Sequence, residues 1–341
     1  MARAIALGKN AMGTAAPNPM VGCCIVYNGA IIGEGFTSPF GGPHAEVNAI
    51  KSVKNKDLLP LSTLYVTLEP CSHYGKTPPC ADFILDKGIK SVVIGISDPN
   101  RKVAGKGIER LRRNGVQVTL GVMDKACREH HKRFLSFQEK NRPYIILKWA
   151  ESQDGFLAPS NNKRTSPPQP YWISNSSSQQ LVHRWRSEEM AILVGTQTVL
   201  DDNPKLDVRH WKGTSPTRVV IDRDLKISDR YHVMDERQNT IVLTEFDKPN
   251  HGNTIFEPIR FNEPLAPQIC AVLYKHEIIS VIVEGGARTL MTFIDEGLWD
   301  EARIFRGPVY FNEGLKAPQL SGKHRQTQQI LNDTLTLIYH D

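Results

Sequence analysis

At 341 residues the chain is longer than one hydrophobic core normally fills, so two domains of roughly 150 residues each are expected. Hydrophobic residues at 40% and charged residues at 23% exclude a disordered chain, and no apolar run approaches the ~20 residues of a membrane helix. The net charge of +6 comes without a basic block, which suits a phosphorylated small molecule as well as a nucleic acid and decides nothing alone.

In chain order, "MARAIALGKNAMG" lacks the apolar core and cleavage site of a secretory signal and reads as a short helix, which makes the cytoplasm the expected location. "VGCCIVY" and "AIIGEG" are strand-like runs joined by Asn28-Gly29, a strong hairpin signal, and "TLYVTL", "SVVIGI" and "VQVTL" follow at wider spacing. Helical stretches lie between them near Ala45–Val53, Ala81–Lys87 and Gly107–Asn114. The pattern is a small α/β sheet. Cys23 and Cys24 fall on one strand and should point to opposite faces as packing residues, and Cys127 and Cys270 read the same way. Asp124–Pro143 reads as one charged connecting helix, which puts a boundary near residue 140 and predicts domains over 1–140 and 141–341.

Two short stretches carry chemistry: "GGPHAEVNAI" at Gly41–Ile50 and "LEPCSHYGKTPPC" at Leu68–Cys80. A hydrolytic zinc site needs three protein ligands and one open position, and His44, Cys71 and Cys80 supply three. Each cysteine stands at an expected helix start, where thiolate is favoured. Glu46, two residues after His44, is placed to move protons beside the metal without binding it. His-x-Glu followed by Pro-Cys is the signature of zinc deaminases. The same two cysteines could instead close a structural zinc site, for which His73 is the available fourth donor.

The eight residues between Cys71 and Cys80, "AAPNPMVG" at Ala15–Gly22, "PHAEVNA" and "DPNRKVAGKG" at Asp98–Gly107 together resemble the bifunctional deaminase/reductase family of riboflavin biosynthesis, over nearly the whole chain. The resemblance implies an N-terminal cytidine-deaminase-like three-layer α/β domain. Such a domain removes the 2-amino group of a diaminopyrimidine ribosylamino phosphate, with one Zn2+ per chain. It also implies that Asn18, His73, Lys76 and Asp98 line the pyrimidine and phosphate sites. Thr37 departs from the family, which usually carries histidine there.

The second half opens on "YIILKWA" and continues with apolar runs at "MAILVG", "RVVID", "TIVLT", "ISVIVEGG" and "TLTLIYH", again an α/β sheet. Pro159–Pro170 is polar and proline-rich and reads as a surface loop, a candidate lid. On residue type alone Asp154 is a turn aspartate before Gly155, and Glu284-Gly285-Gly286 is a strand end leading into a helix whose free N–H groups suit a phosphate. It is not a G-x-G-x-x-G fingerprint.

The resemblance extends through "LKWAESQDG", "YWIS", "HRWRSEEMAILVGTQTVLDDNPKLDVR" and "VEGGARTL". It implies a dihydrofolate-reductase-like α/β domain that uses NADPH to reduce the ribosyl group to a ribityl chain. Ala150, Trp172, Thr198, Asp202 and the stretch Gly286, Ala287, Arg288, Thr289, Leu290, Met291, Thr292 are then expected at the cofactor. Arg186, Leu206, Arg209 and Glu284 are expected at the substrate, the arginines as forks for its phosphate. Either Glu284 or Lys148 is expected to polarise or protonate the opening sugar. Gln153, Pro170 and Arg223 depart from the family, and Arg223 is a candidate partner for the cofactor's 2′-phosphate.

These readings make the chain a homo-oligomeric enzyme acting on a phosphorylated pyrimidine, with neither nucleic acid nor membrane as partner. Three alternatives stand beside it: a deaminase whose reductase half is degenerate, a nucleic-acid base deaminase, and a zinc-stabilised binding protein. The second calls for a basic stripe with stacking aromatics, whereas Lys and Arg are scattered and aromatic content is 8%.

Overall fold

The computed structural model describes residues 1–74, 78–99, 104–160, 171–320 and 324–340. The chain divides into two units, Met1–Asn141 and Arg142–Asp341.

In the first unit Asn28 (φ 47°) and Gly29 (φ 77°) form the left-handed two-residue turn that their types favour. It folds β2 (Ala30–Phe36) antiparallel onto β1 (Gly22–Tyr27). On the other side of β1 lies β3 (Thr63–Leu68), also antiparallel, followed in parallel by β4 (Ser91–Ile96) and β5 (Gln117–Leu120). Because strand side chains alternate, Cys23 and Cys24 do face opposite ways. Cys23 joins Ile25, Val66 and Ile94 under Ala49 and Ile50 of α2 (Ala45–Ser52), Ile84 of α3 (Cys80–Asp86) and Leu111 of α4 (Lys106–Arg113). Cys24 packs on Ala4 and Leu7 of α1 (Ala2–Gly8). Helices therefore cover both faces of the sheet, and each buried Ile or Leu contributes about 1.5–3 kcal/mol through removal from water.

Strand register decides where the loops emerge. Gly22 is opposite Phe36, Cys23 opposite Val66, and Leu68 lies beside Ile96. The start of β1 and the ends of β2, β3 and β4 thus share one edge, from which the segments carrying Asn18, His44, Cys71 and Asp98 all depart.

The single connecting helix expected over 124–143 is instead two, α5 (Asp124–His130) and α6 (Lys132–Lys140). His131, at φ −95° and ψ 11°, breaks the run. Its ring is buried against the Thr67 hydroxyl at 3.0 Å, while the adjacent His130 ring reaches the Met20 carbonyl, so two neighbouring side chains are both drawn inward.

The second unit holds a nine-stranded sheet in the order β11-β10-β9-β8-β12-β6-β13-β16-β15. Its parallel part comprises β6 (Tyr144–Glu151), β8 (Ala191–Gly195), β9 (Thr217–Ile221), β10 (Thr240–Thr244), β11 (Thr254–Pro258), β12 (Ser280–Val283) and β13 (Glu301–Arg306). Antiparallel β16 (Asp333–Tyr339) and β15 (His324–Ile330) complete one edge, and β7 (Phe156–Pro159) pairs separately with β14 (Gly314–Lys316). Along β6, Ile145 and Leu147 meet α9 (Leu265–Lys275) and α10 (Ala287–Asp295), whereas Ile146 meets Val182 and Trp185 of α7 (Ser176–Glu188). The sequence reading passes over β13 and β15. β13 buries an internal Glu301–Arg303 ion pair at 2.7 Å in place of an apolar alternation, and β15, "HRQTQQI", is an edge strand with little apolar signal.

A buried fork fixes the entry to this sheet. Arg142 donates to Asp300 at 2.6 and 2.8 Å, and the same carboxylate accepts the Ile145 N–H at 2.9 Å, joining the starts of β6 and β13. Removing one member of a buried pair strands the other, so Asp300→Ala is expected to lower the unfolding free energy of this unit by about 3 kcal/mol in a denaturant titration. An unchanged midpoint would show that the fork contributes nothing net.

Candidate active sites

In the first unit, β3 ends at Leu68 and Glu69-Pro70 leads to Cys71; His44 precedes the first turn of α2, and Cys80 opens α3 behind Pro79. His44 Nδ1 lies 3.6 Å from Cys71 Sγ and 3.3 Å from Cys80 Sγ, and all three donor atoms fall within 4.8 Å of one another. Zinc–sulfur and zinc–nitrogen bonds of about 2.3 and 2.0 Å put tetrahedral ligands about 3.5 Å apart, so this donor set fits the ion. Among the described residues no fourth His, Cys, Asp or Glu joins the group, and His73 is exposed on the loop. The closed structural site that His73 would complete is therefore absent from the described residues.

The electrostatics are those of a crowded, half-dry corner. The hydrogen bond from Cys80 draws the Cys71 thiol down to about 4 against the opposing effect of burial, with His44 and the Cys80 N–H at 3.3 Å assisting. Cys80, holding the shared proton, is pushed up. The hydrogen bond to Cys71 also raises His44. Glu46 is 3% exposed, and burial, followed by the Cys71 charge, lifts its carboxyl to about 7.

Asn18 is half-buried in the turn before β1, and Asp98 stands two residues past β4, both at the sheet edge that carries the zinc donors. Lys76 lies outside the described residues. Thr37 is buried; its hydroxyl donates to the Pro19 carbonyl at 3.0 Å and receives the Val21 N–H at 3.0 Å, so it pins the Asn18 turn from within.

In the second unit a cavity of about 540 Å³ opens at the carboxyl ends of β6, β8 and β12, where parallel sheets place their ligands. Lys148, Arg186, Leu206, Arg209 and Glu284 line it, as do Ala150, Trp172, Thr198, Asp202 and Gly286. Of the remaining stretch, Arg288 is exposed, Thr289 packs beneath Gly195 and Gly285, and Leu290 is fully buried in the core beside Phe293. Gly286 alone of 286–292 lines the cavity, with the nearest atom 3.9 Å from where a Cβ would stand, and its N–H donates to the Thr198 hydroxyl at 3.2 Å. Open backbone here, the exposed Trp172 ring, and Lys148, Arg186, Lys205 and Arg209 set against Asp201, Asp202 and Glu284 on the wall fit a large cofactor that carries phosphate groups.

Lys148, Glu284 and Arg186 form one ionic triad. Arg186 grips both Glu284 oxygens at 3.2 and 2.9 Å, and Lys148 Nζ lies 3.5 Å away from the second. Burial would raise the Glu284 carboxyl, yet Arg186 and Lys148 outweigh it and hold it down at about 2. Burial pulls the Lys148 ammonium below its usual value despite Glu284. The two arginines expected as phosphate forks also have partners within the protein, Arg186 in Glu284 and Arg209 in Asp207.

Leu206 holds a left-handed backbone (φ 55°) that a leucine adopts only under constraint, and it is turned into the lining. Asp154 accepts from the Ser152 hydroxyl and from the Phe311 and Asn312 N–H groups, the turn role its type favours, and is not on the lining. Arg223 is off the lining as well, two residues past the end of β9 and paired at the surface with Glu245 at 2.7 Å. The sequence reading missed Lys205 and Tyr171 on the wall, and His183, whose Nδ1 accepts the Arg209 N–H at 3.3 Å. An exposed lysine and an aromatic beside a proline-rich segment carry no signal of their own.

Comparison with known proteins matches residues 143–336 to the RibD C-terminal domain and residues 1–96 to the cytidine and deoxycytidylate deaminase zinc-binding region. The riboflavin biosynthesis protein RibD of Aquifex aeolicus is 38% identical over 328 residues, covering 94% of this chain and 89% of that protein. The RibD protein of Escherichia coli is 34% identical, covering 90% and 86%. A crystal structure of a diaminohydroxyphosphoribosylaminopyrimidine deaminase/5-amino-6-(5-phosphoribosylamino)uracil reductase from Thermotoga maritima superposes with a TM-score of 0.88 at 35% identity, covering 100% of this chain and 97% of that one. Both halves are matched in one continuous alignment and in the order found here, and the chain belongs to the RibD family of riboflavin biosynthesis proteins.

Proposed function

We propose that the chain performs two consecutive steps of riboflavin biosynthesis. Residues 1–140 deaminate 2,5-diamino-6-(5-phosphoribosylamino)pyrimidin-4(3H)-one, and residues 141–341 reduce its ribosyl group to give 5-amino-6-(5-phosphoribitylamino)uracil. The observation that carries this reading is the set of three soft and imidazole donors with the buried Glu46 carboxyl two residues along from one of them.

His44, Cys71 and Cys80 would hold a zinc ion, which would supply Lewis acidity toward a water molecule. Glu46 takes a proton from that water, passes it to the ring nitrogen beside the amino-bearing carbon, and delivers the next to the departing ammonia. Buried in the first turn of α2, two residues from His44, Glu46 stands where a carboxyl can both accept and give protons. Asn18, His73 and Asp98, at the same sheet edge, contact the pyrimidine and its phosphate.

The cavity of the second unit would hold NADPH against Ala150, Trp172, Thr198 and Gly286, and the cofactor would supply the hydride for the reduction. Glu284, held near 2, has no proton to give at neutral pH, so the acid is Lys148. Its ammonium is loosened by burial and aimed by Glu284, and it donates to the ring oxygen as the sugar opens. Arg186 fixes Glu284, while Lys205 and Arg209 meet the phosphate from the wall. The departures at Gln153 and Arg223 lie off the cavity lining, which leaves the degenerate-reductase reading without support from them.

Supplied with the diaminopyrimidine phosphate, the protein is expected to release ammonia without NADPH and to oxidise NADPH only after that release. Glu46→Gln should keep about one zinc per chain and lose ammonia release by roughly 10²–10⁴-fold; a rate within error of the parent would remove Glu46 from the proton path. Lys148→Met should slow NADPH oxidation by about 10²-fold or more while ammonia release persists. Full NADPH oxidation in that variant would move the acid role elsewhere.

A further inference from the structure

One buried carboxylate in the first unit belongs to neither the metal nor the proton path. Glu69 is 4% exposed, and its two oxygens accept four backbone N–H groups: Asp98 at 3.1 Å, Gly105 at 3.1 Å, Gly107 at 2.9 Å and Ile108 at 3.2 Å. An ionised carboxylate offers about four acceptor sites, so its capacity is filled, and by charge-assisted bonds of the stronger kind. No cation pairs with it among the described residues. Its own N–H is fixed on the Ile96 carbonyl at 2.9 Å.

The four donors flank residues 100–103, which lie outside the described residues: Asp98 on the β4 side, and Gly105, Gly107 and Ile108 at the start of α4. Glu69 is two residues before Cys71. The same helix reaches back, as Arg110 donates to the Ser72 carbonyl at 3.3 Å and pairs with Asp82 of α3 at 2.5 Å. Contact is close enough to require glycine, since a Cβ on Gly107 would stand 2.1 Å from the Pro70 carbonyl oxygen.

We propose that Glu69 is a positioning residue of the deaminase site, one whose carboxylate locks the Asp98 segment and the start of α4 onto the strand end that delivers Cys71. It couples a metal ligand to a substrate contact through main-chain bonds alone, so the two hold a fixed separation. The inference rests on the reading above that Asp98 contacts the substrate.

Glu69→Gln replaces one acceptor oxygen by a donor and sets it against N–H groups. In the full chain this variant is expected to keep its zinc and its NADPH oxidation on the deaminated intermediate. KM for ammonia release should rise about 10- to 100-fold, with kcat changed far less, as displacement of a contact by a fraction of an ångström does. Gly107→Ala, which displaces the same segment without touching the charge, should raise KM likewise and decides the matter if Glu69→Gln does not fold. Combined with Asp98→Asn, Glu69→Gln should add little further, because both act through one contact. Loss of zinc in folded Glu69→Gln, or a KM equal to the parent's where Asp98→Asn raises it, overturns the proposal. An Asp98→Asn variant with the parent's KM instead sinks the substrate reading of Asp98 on which it rests.

Discussion

Two thiols and an imidazole forced into contact at one sheet edge are the constraint on which the first unit depends. Cys71, drawn down by its hydrogen bond from Cys80, stands near the Glu46 carboxyl, which burial and then the Cys71 charge push up to about 7. Such an arrangement is costly unless a cation satisfies it, and zinc binding releases the protons involved. The fold makes the arrangement possible because β1, β2, β3 and β4 all open to the same edge, so segments distant in sequence are held there by strand register and not by their own rigidity.

The second unit resolves its buried charge differently. Glu284 is compensated within the protein by Arg186 and Lys148, so its charge is matched before any ligand arrives and the triad keeps one net positive charge. Ligands there meet a pre-organised wall in which one ammonium is weakened by burial and one carboxylate is fixed between two cations. The two units thus use one physical device, a buried charge with a specific partner, for hydrolysis in one and reduction in the other.

Much of this was legible in the residues. The Asn28-Gly29 turn, the opposed Cys23 and Cys24, and the His44, Cys71 and Cys80 set are local or nearly local signals, written by turn chemistry, strand alternation and the scarcity of metal donors. The break at His131 was hidden because it arises from where two histidine rings find partners, Met20 and Thr67, far away in the chain. Arg186 and Arg209 read as phosphate forks, and their partners within the protein, Glu284 and Asp207, are revealed only by packing. Glu69 gave no signal at all, since a carboxylate that binds main-chain N–H groups depends on backbone geometry and not on the types of the residues it holds. β15 was lost because its side chains are mostly polar, and β13 because charged residues interrupt its apolar ones; sheet pairing overrides both.

The account stands or falls on an open metal corner. X-ray absorption at the zinc edge of the purified protein tests it directly. The expected shell is two sulfurs at about 2.3 Å with one imidazole nitrogen and one water oxygen at about 2.0–2.1 Å. A second imidazole or a third sulfur in that shell would mean a closed structural site, and the hydrolytic reading of the first unit would be wrong.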